Sequence, residues 1–204
     1  MHKGKKHVYT SYAWLALGIG IFLFSSGRWV VPIAAWTAPI FLLRFVRLEK
    51  PARGLTILFV LLSVFTFITL YGIIPPFLGM LSYILSVYYA LISFFPYLIH
   101  RMFVKKHSGF ISTLVFPSAA VTAEYINNVL YGSWNSIAYS QFGDLPLMQM
   151  ASITGIWGIT FLVLWFGSCV NWAWEQEFNW TKIRKAVAVY ALVKSLYLTR
   201  LLVE

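Results

Sequence analysis

Long apolar runs separated by short basic segments constrain this chain more than any other feature. About 20 apolar residues in a helix cross a bilayer core of about 30 Å. Uncharged runs cover residues 8–27, 54–74, 77–99 and 150–174, and a shorter one at 29–43 is interrupted by Pro32 and Pro39. Residues 110–130 carry one charge, Glu124, and residues 186–203 carry Lys194 and Arg200. In hydrocarbon the backbone must be satisfied within its own segment, so these runs are expected to be helices. The alternating short strands of an outer-membrane barrel are a different pattern. The expected fold is therefore all-α, a single polytopic membrane bundle of about seven transmembrane helices over residues 1–204. Pro75-Pro76 is expected to form the corner between the third and fourth spans, since neither proline can donate a helical hydrogen bond.

Composition agrees. Hydrophobic residues make up 60% of the 204 and charged ones 11%, against about 45–50% and about 25% in soluble domains. A disordered segment, a disulfide scaffold and an ordinary cytosolic enzyme are all excluded on that basis. One cysteine permits neither an internal disulfide nor a Cys-based zinc site.

The net charge of +10 raises the question of nucleic acid, and the placement of the charges answers it. Lys3, Lys5 and Lys6 precede the first span; Arg44, Arg47, Lys50 and Arg53 follow the second. Arg101, Lys105 and Lys106 follow the fourth, and Lys182, Arg184 and Lys185 precede the seventh. Seven crossings put these four segments on one face, which the positive-inside rule makes cytoplasmic. Arg28 stands alone in the opposite loops. The charge thus reads as topology and as affinity for anionic headgroups. A nucleic-acid partner would need the charges on one polar domain, and none is expected. The expected location is the plasma (inner) membrane, multi-pass, with the N-terminus cytoplasmic and the C-terminus outside. The N-terminus has the outline of a signal peptide, but it lacks a cleavage pattern and reads as the first helix. Lys194 makes the seventh span the most costly to insert.

Residues 127–149 form the longest outer connection and are rich in boundary side chains: Tyr131, Trp134, Tyr139, Gln141 and Gln149. They read either as an aromatic belt at the headgroups or as a re-entrant loop lining a substrate cavity. Ionisable residues at membrane depth are functional candidates that usually face the bundle interior. Glu124 and Arg200 lie at similar height on the fifth and seventh spans. They are expected either to pair, with Lys194 as the other possible partner of Glu124, or to snorkel separately to the interface. Gly155, Gly158 and Gly167 read as close helix contacts.

Glu124, Gly132-Ser133-Trp134 and Ala138-Tyr139-Ser140-Gln141 together form a pattern similar to the membrane-domain signature of apolipoprotein N-acyltransferases. The run Pro146 to Ala151, then Thr154 to Leu162, resembles the segment that follows in that family, and Gly27-Arg28-Trp29 with Pro32 to Trp36 resembles its short second helix. Ser133 stands where the family has proline, and Asn127 and Asn128 lie where it has an arginine. The resemblance implies a module that engages phospholipid acyl chains for lipoprotein N-acylation. It also implies that Glu124, Trp134, Tyr139, Gln141 and Gln149 are candidate lipid contacts. The groove beside Gly155, Gly158 and Gly167 would then admit an acyl chain.

The family's Glu–Lys–Cys triad belongs to a nitrilase-like domain expected after the seventh helix, beyond Glu204. This chain alone is expected to be inactive, with membrane lipids and a separate nitrilase-type subunit as partners. No catalytic residue, metal site or cofactor is expected in it. Cys169 lies in apolar surroundings that keep a thiol inert, Ser140 has no base near it in sequence, and the four histidines are expected among the headgroup-facing basic residues. Two other classes remain open at this point: a small transporter, suggested by the broken second helix, and a scaffold subunit without a ligand.

Overall fold

The computed structural model describes residues 2–27, 29–71, 79–104, 109–133 and 135–199. Among these the secondary structure is helical, with no strand. The helices are α1 (His2–Phe22), α2 (Pro32–Leu48), α3 (Pro51–Leu70), α4 (Gly79–Val104), α5 (Val115–Tyr131), the short α6 (Leu145–Gln149), α7 (Ala151–Glu175) and α8 (Trp180–Thr199). Short 3-10 turns cover Phe110–Leu114 and Ile137–Gln141. By length and composition three helices could cross a membrane: Pro51–Leu70, Gly79–Phe103 and Ala151–Glu175. The corner expected at Pro75-Pro76 lies outside the described residues, as do Arg28, Lys105, Lys106 and His107.

The long helices run alternately between a basic end and a loop end. α1 packs on α2, α3 on α4, α4 on α5, and both α2 and α5 on α7. α2 is the hub. Leu42, Leu43, Phe45 and Val46 meet Leu58 and Leu62 of α3 and Leu164 of α7 in one buried cluster. Ala35 joins a second cluster with Ile159, Leu162 and Val163 of α7. Small residues permit this central position. A Cβ at Gly167 would lie 2.9 Å from the Pro39 Cβ, so the two backbones approach where proline and glycine face each other. The outward faces of α3 and α4 remain apolar, with Val60, Val64, Ile68, Ile84, Val87 and Leu91 exposed. Contiguous apolar surface of this kind is rare on soluble monomers.

Several boundaries differ from the sequence expectation. α2 continues to Leu48 through Arg44 and Arg47, because both charges find partners inside the bundle. Arg44 lies 5.3 Å from the Trp174 ring, and Arg47 forms an ion pair with Glu175 and donates to His100 Nε2 at 3.2 Å. Arg101 donates from Nη1 to the Arg47 carbonyl at 3.0 Å and from Nη2 to the Glu49 carbonyl at 2.9 Å. It thereby satisfies carbonyls that the end of a helix leaves open. The Glu49 carboxylate accepts from Ser11 of α1 at 2.8 Å. These contacts knot α1, α2, α4 and α7 together. His100 is 2% exposed inside the knot, so it is not a headgroup-facing residue. The connection from α2 to α3 shrinks to Glu49-Lys50, with Pro51 opening α3 at its first position.

α8 starts at Trp180 rather than near residue 186, with the Asn179 side chain accepting from the Thr181 amide at 3.1 Å. Lys182, Arg184 and Lys185 therefore lie on the helix. The expected loop of residues 127–149 is largely structured, holding the last turn of α5, a 3-10 turn and α6.

Candidate functional site

Glu124 sits on α5 two turns before its C-terminus. Gly132, at φ +86, ends the helix. That left-handed value suits glycine, and it turns the chain back over α5. Asn127 secures the return, donating from Nδ2 to the Gly132 carbonyl at 3.1 Å and accepting from the Tyr88 hydroxyl at 3.1 Å. The 3-10 turn that follows is capped by Ser136, whose Oγ accepts from the Ala138 amide at 3.3 Å.

The returning chain closes onto the carboxylate. Glu124 Oε2 accepts from Ser136 Oγ at 2.9 Å and from Thr160 Oγ1 of α7 at 2.9 Å. Oε1 accepts from the Ile137 amide at 3.0 Å. Three donors converge on one acceptor-only group. The carboxylate thus clamps α5, the 3-10 turn and α7 at a single point.

A second fastening holds the far side of the turn. Trp36 Nε1 of α2 donates to Gln141 Oε1 at 2.9 Å, and Gln141 Nε2 donates to the Pro32 carbonyl at 3.1 Å and to Ser140 Oγ at 2.7 Å. Ser140 in turn donates to the Ile137 carbonyl at 2.7 Å, so its hydroxyl is engaged in the turn itself.

A cleft of about 70 Å³ runs beneath this turn between α1, α2, α4, α5 and α7. Its loop end carries Glu124, Asn128, Asn135, Ser136 and Trp157; its deeper walls include Pro39, Ile92, Pro96, Phe116 and Leu164. A neighbouring cavity of about 270 Å³ lies against α3 and shares Phe22, Ser26, Ser93, Asn135 and Ser136 with it. Polar at one end and apolar along its depth, the cleft is shaped for an amphiphile.

The candidates named from sequence separate into groups. Glu124 lines the cleft and Tyr139 the neighbouring cavity, where its hydroxyl lies 2.7 Å from Ser133 Oγ. Gln141 is a buried fastening, whereas Gln149 is exposed and lines neither cavity. Lys194 is exposed with Nζ 5.8 Å from the Trp36 ring, and the described partners of Glu124 are Ser136, Ile137 and Thr160. Trp134 and Arg200 lie outside the described residues. Cys169 packs against the Ile159–Trp165 cluster. No set of three or more His, Cys, Asp or Glu among the described residues could hold a metal ion.

Sequence reasoning missed Ser136, Thr160 and Trp157. It also missed that Gly155, at φ +66, breaks α7 after its first turn. A Cβ there would lie 2.9 Å from the Trp157 ring, so the break and the tryptophan fit together. The cue was a glycine flanked by Thr154 and Trp157 in an otherwise uniform apolar run.

An apolipoprotein N-acyltransferase of Geobacter metallireducens (strain ATCC 53774 / DSM 7210 / GS-15) is 34% identical over 103 residues, covering 47% of this chain and 19% of that protein. The chain thus matches about a fifth of the length of that curated relative. The family described as apolipoprotein N-acyltransferase N-terminal domain matches residues 19–169. That range holds Glu124, the clamp and both cavities, and the chain belongs to this family.

Proposed function

We propose that this chain is the membrane module that draws a phospholipid acyl chain from the bilayer for lipoprotein N-acylation. The observation that supports it is the cleft beneath the Glu124 clamp, with its polar loop end and apolar depth. In this reading the helices span the bilayer with the basic end cytoplasmic, by the positive-inside rule. The cleft then opens toward the outer leaflet, and the acyl chain lies along Ile92, Phe116 and Leu164. Thioester chemistry is left to a nitrilase-type domain or subunit docking at the loop end. Glu124 is a positioning residue here, holding the mouth of the cleft in shape.

A phospholipid with a photoreactive group near the end of one acyl chain tests this in nanodiscs containing the full chain. Labelling is expected at Ile92, Phe116 and Leu164. Ala120→Leu narrows the cleft, since Ala120 is 5% exposed and lines it, and should reduce that labelling while leaving the melting temperature near the parent value. Labelling confined to the outward residues Val64, Val87 and Leu91 would overturn the reading.

A further inference from the structure

We infer that the loop end of the cleft recognises the uncharged ester linkage of a glycerolipid, through its carbonyl oxygen, and not the phosphate of its headgroup. The inference rests on the lipid-engaging reading above and deepens it.

Hydrogen-bonding capacity around the cleft is unevenly used. Glu124, Asn127 and Ser136 are satisfied within the protein. Trp157 also lines the cleft, but its indole N–H is buried with no acceptor. Ser26, Ser93, Asn128 and Asn135 line it as well, and no described residue hydrogen-bonds to their side chains. Buried polar groups are normally paired, and one left open in an apolar setting is costly. An indole N–H can only donate, whereas hydroxyls and carboxamides can donate or accept. The open set therefore asks first for an acceptor on the ligand.

Charge decides which acceptor. Glu124 forms part of the same wall, and no lysine, arginine or histidine lines either cavity among the described residues. A phosphate there would face a carboxylate without a cation, at the low effective dielectric where like charges repel most. An ester carbonyl accepts from Trp157 and carries no charge. Its acyl chain continues onto the apolar walls at Pro39, Ile92 and Phe116, while the phosphate stays beyond the mouth. Arg28, which follows the cavity residue Gly27, lies outside the described residues.

The probes are three lipids with the same photoreactive chain: a diacyl phospholipid, its dialkyl ether analogue with the same headgroup, and the diacylglycerol without phosphate. One neutral hydrogen bond corresponds to about a three- to tenfold change in affinity. The wild-type chain in nanodiscs is expected to prefer ester over ether by about that factor and to bind diacylglycerol within about threefold of the phospholipid. Trp157→Phe keeps the ring but removes the donor, and should erase the ester preference by weakening the ester lipid alone. Equal binding of ester and ether lipids by the wild type would overturn the inference while the acyl-chain reading stands. So would a loss of more than about tenfold with diacylglycerol. Absence of cleft labelling by all three lipids would instead defeat the acyl-chain reading itself. The ether comparison uses the wild type, so it holds even if Trp157→Phe folds poorly.

Discussion

Replacing Glu124 by leucine and by glutamine should have very different consequences, because the clamp depends on acceptor geometry. Leucine removes three hydrogen bonds of 2.9, 2.9 and 3.0 Å. Part of the loss is recoverable, since Ser136 Oγ and Thr160 Oγ1 are 3.3 Å apart and can turn toward each other. The Ile137 amide has no such alternative, and an orphaned buried donor costs about 1–3 kcal/mol. With the lost charge-assisted bonds, and relief of carboxylate desolvation set against them, the net cost is roughly 2–4 kcal/mol.

Glutamine keeps the shape. Its oxygen can accept from Ile137 while its amide group donates to the two hydroxyls, which are able to accept, so its cost is expected below about 1 kcal/mol. A cost of 1 kcal/mol lowers the melting temperature of a domain this size by roughly 2–4 °C. In detergent-solubilised protein, Glu124→Leu should therefore melt roughly 4–16 °C lower, and Glu124→Gln less than about 4 °C lower. If glutamine proves as damaging as leucine, the charge itself matters and the acceptor argument is wrong. A leucine variant melting within about 2 °C of wild type would mean that the clamp contributes no stability.

Other perturbations follow from the same contacts. Glu175→Ala leaves the Arg47 guanidinium without its carboxylate. The cost should be roughly 1–3 kcal/mol, below that of a fully buried pair because the two side chains are 13% and 27% exposed, and chemical denaturation in mixed micelles would measure it. Gly155→Ala should lose roughly 1–3 kcal/mol, since φ +66 with ψ −175 is a conformation held almost only by glycine. Gly20→Ala, with no heavy atom within 4 Å of its Cβ position, should gain about 0.5–1 kcal/mol; the two melting shifts should have opposite signs. Gln141→Leu orphans the Trp36 indole and frees the Pro32 carbonyl. It should lower stability by roughly 1–3 kcal/mol and speed limited proteolysis near Phe142, which is 87% exposed.

The large features were legible because hydropathy reports burial in either lipid or protein. The runs containing α3, α4 and α7 stood out as uncharged stretches, and Gly167 was readable as a close contact. The end of α2 was not, because charge normally marks the end of an apolar run. Arg44 and Arg47 violate that rule only through partners on α4 and α7 that lie far away in sequence. Glu124 announced itself as a lone intramembrane charge, and charge reasoning then looked for a basic partner. Its described partners are two hydroxyls and a backbone amide, groups too common in sequence to mark a site. Trp157 was hidden for the opposite reason, as one of nine tryptophans whose open N–H becomes visible only once its neighbours are placed.

The guanidinium of Arg101 bears on the order in which the chain assembles. It bonds to carbonyls 54 and 52 residues upstream, at the corner where α2 hands over to α3. A ribosome therefore delivers both arms of that hairpin well before the residue that completes it. Until α4 emerges, two carbonyls at the corner must borrow water or headgroups, and the hairpin can still tilt or slide. Maturation of this end is thus a late, chain-wide event and not the local closing of two neighbouring helices.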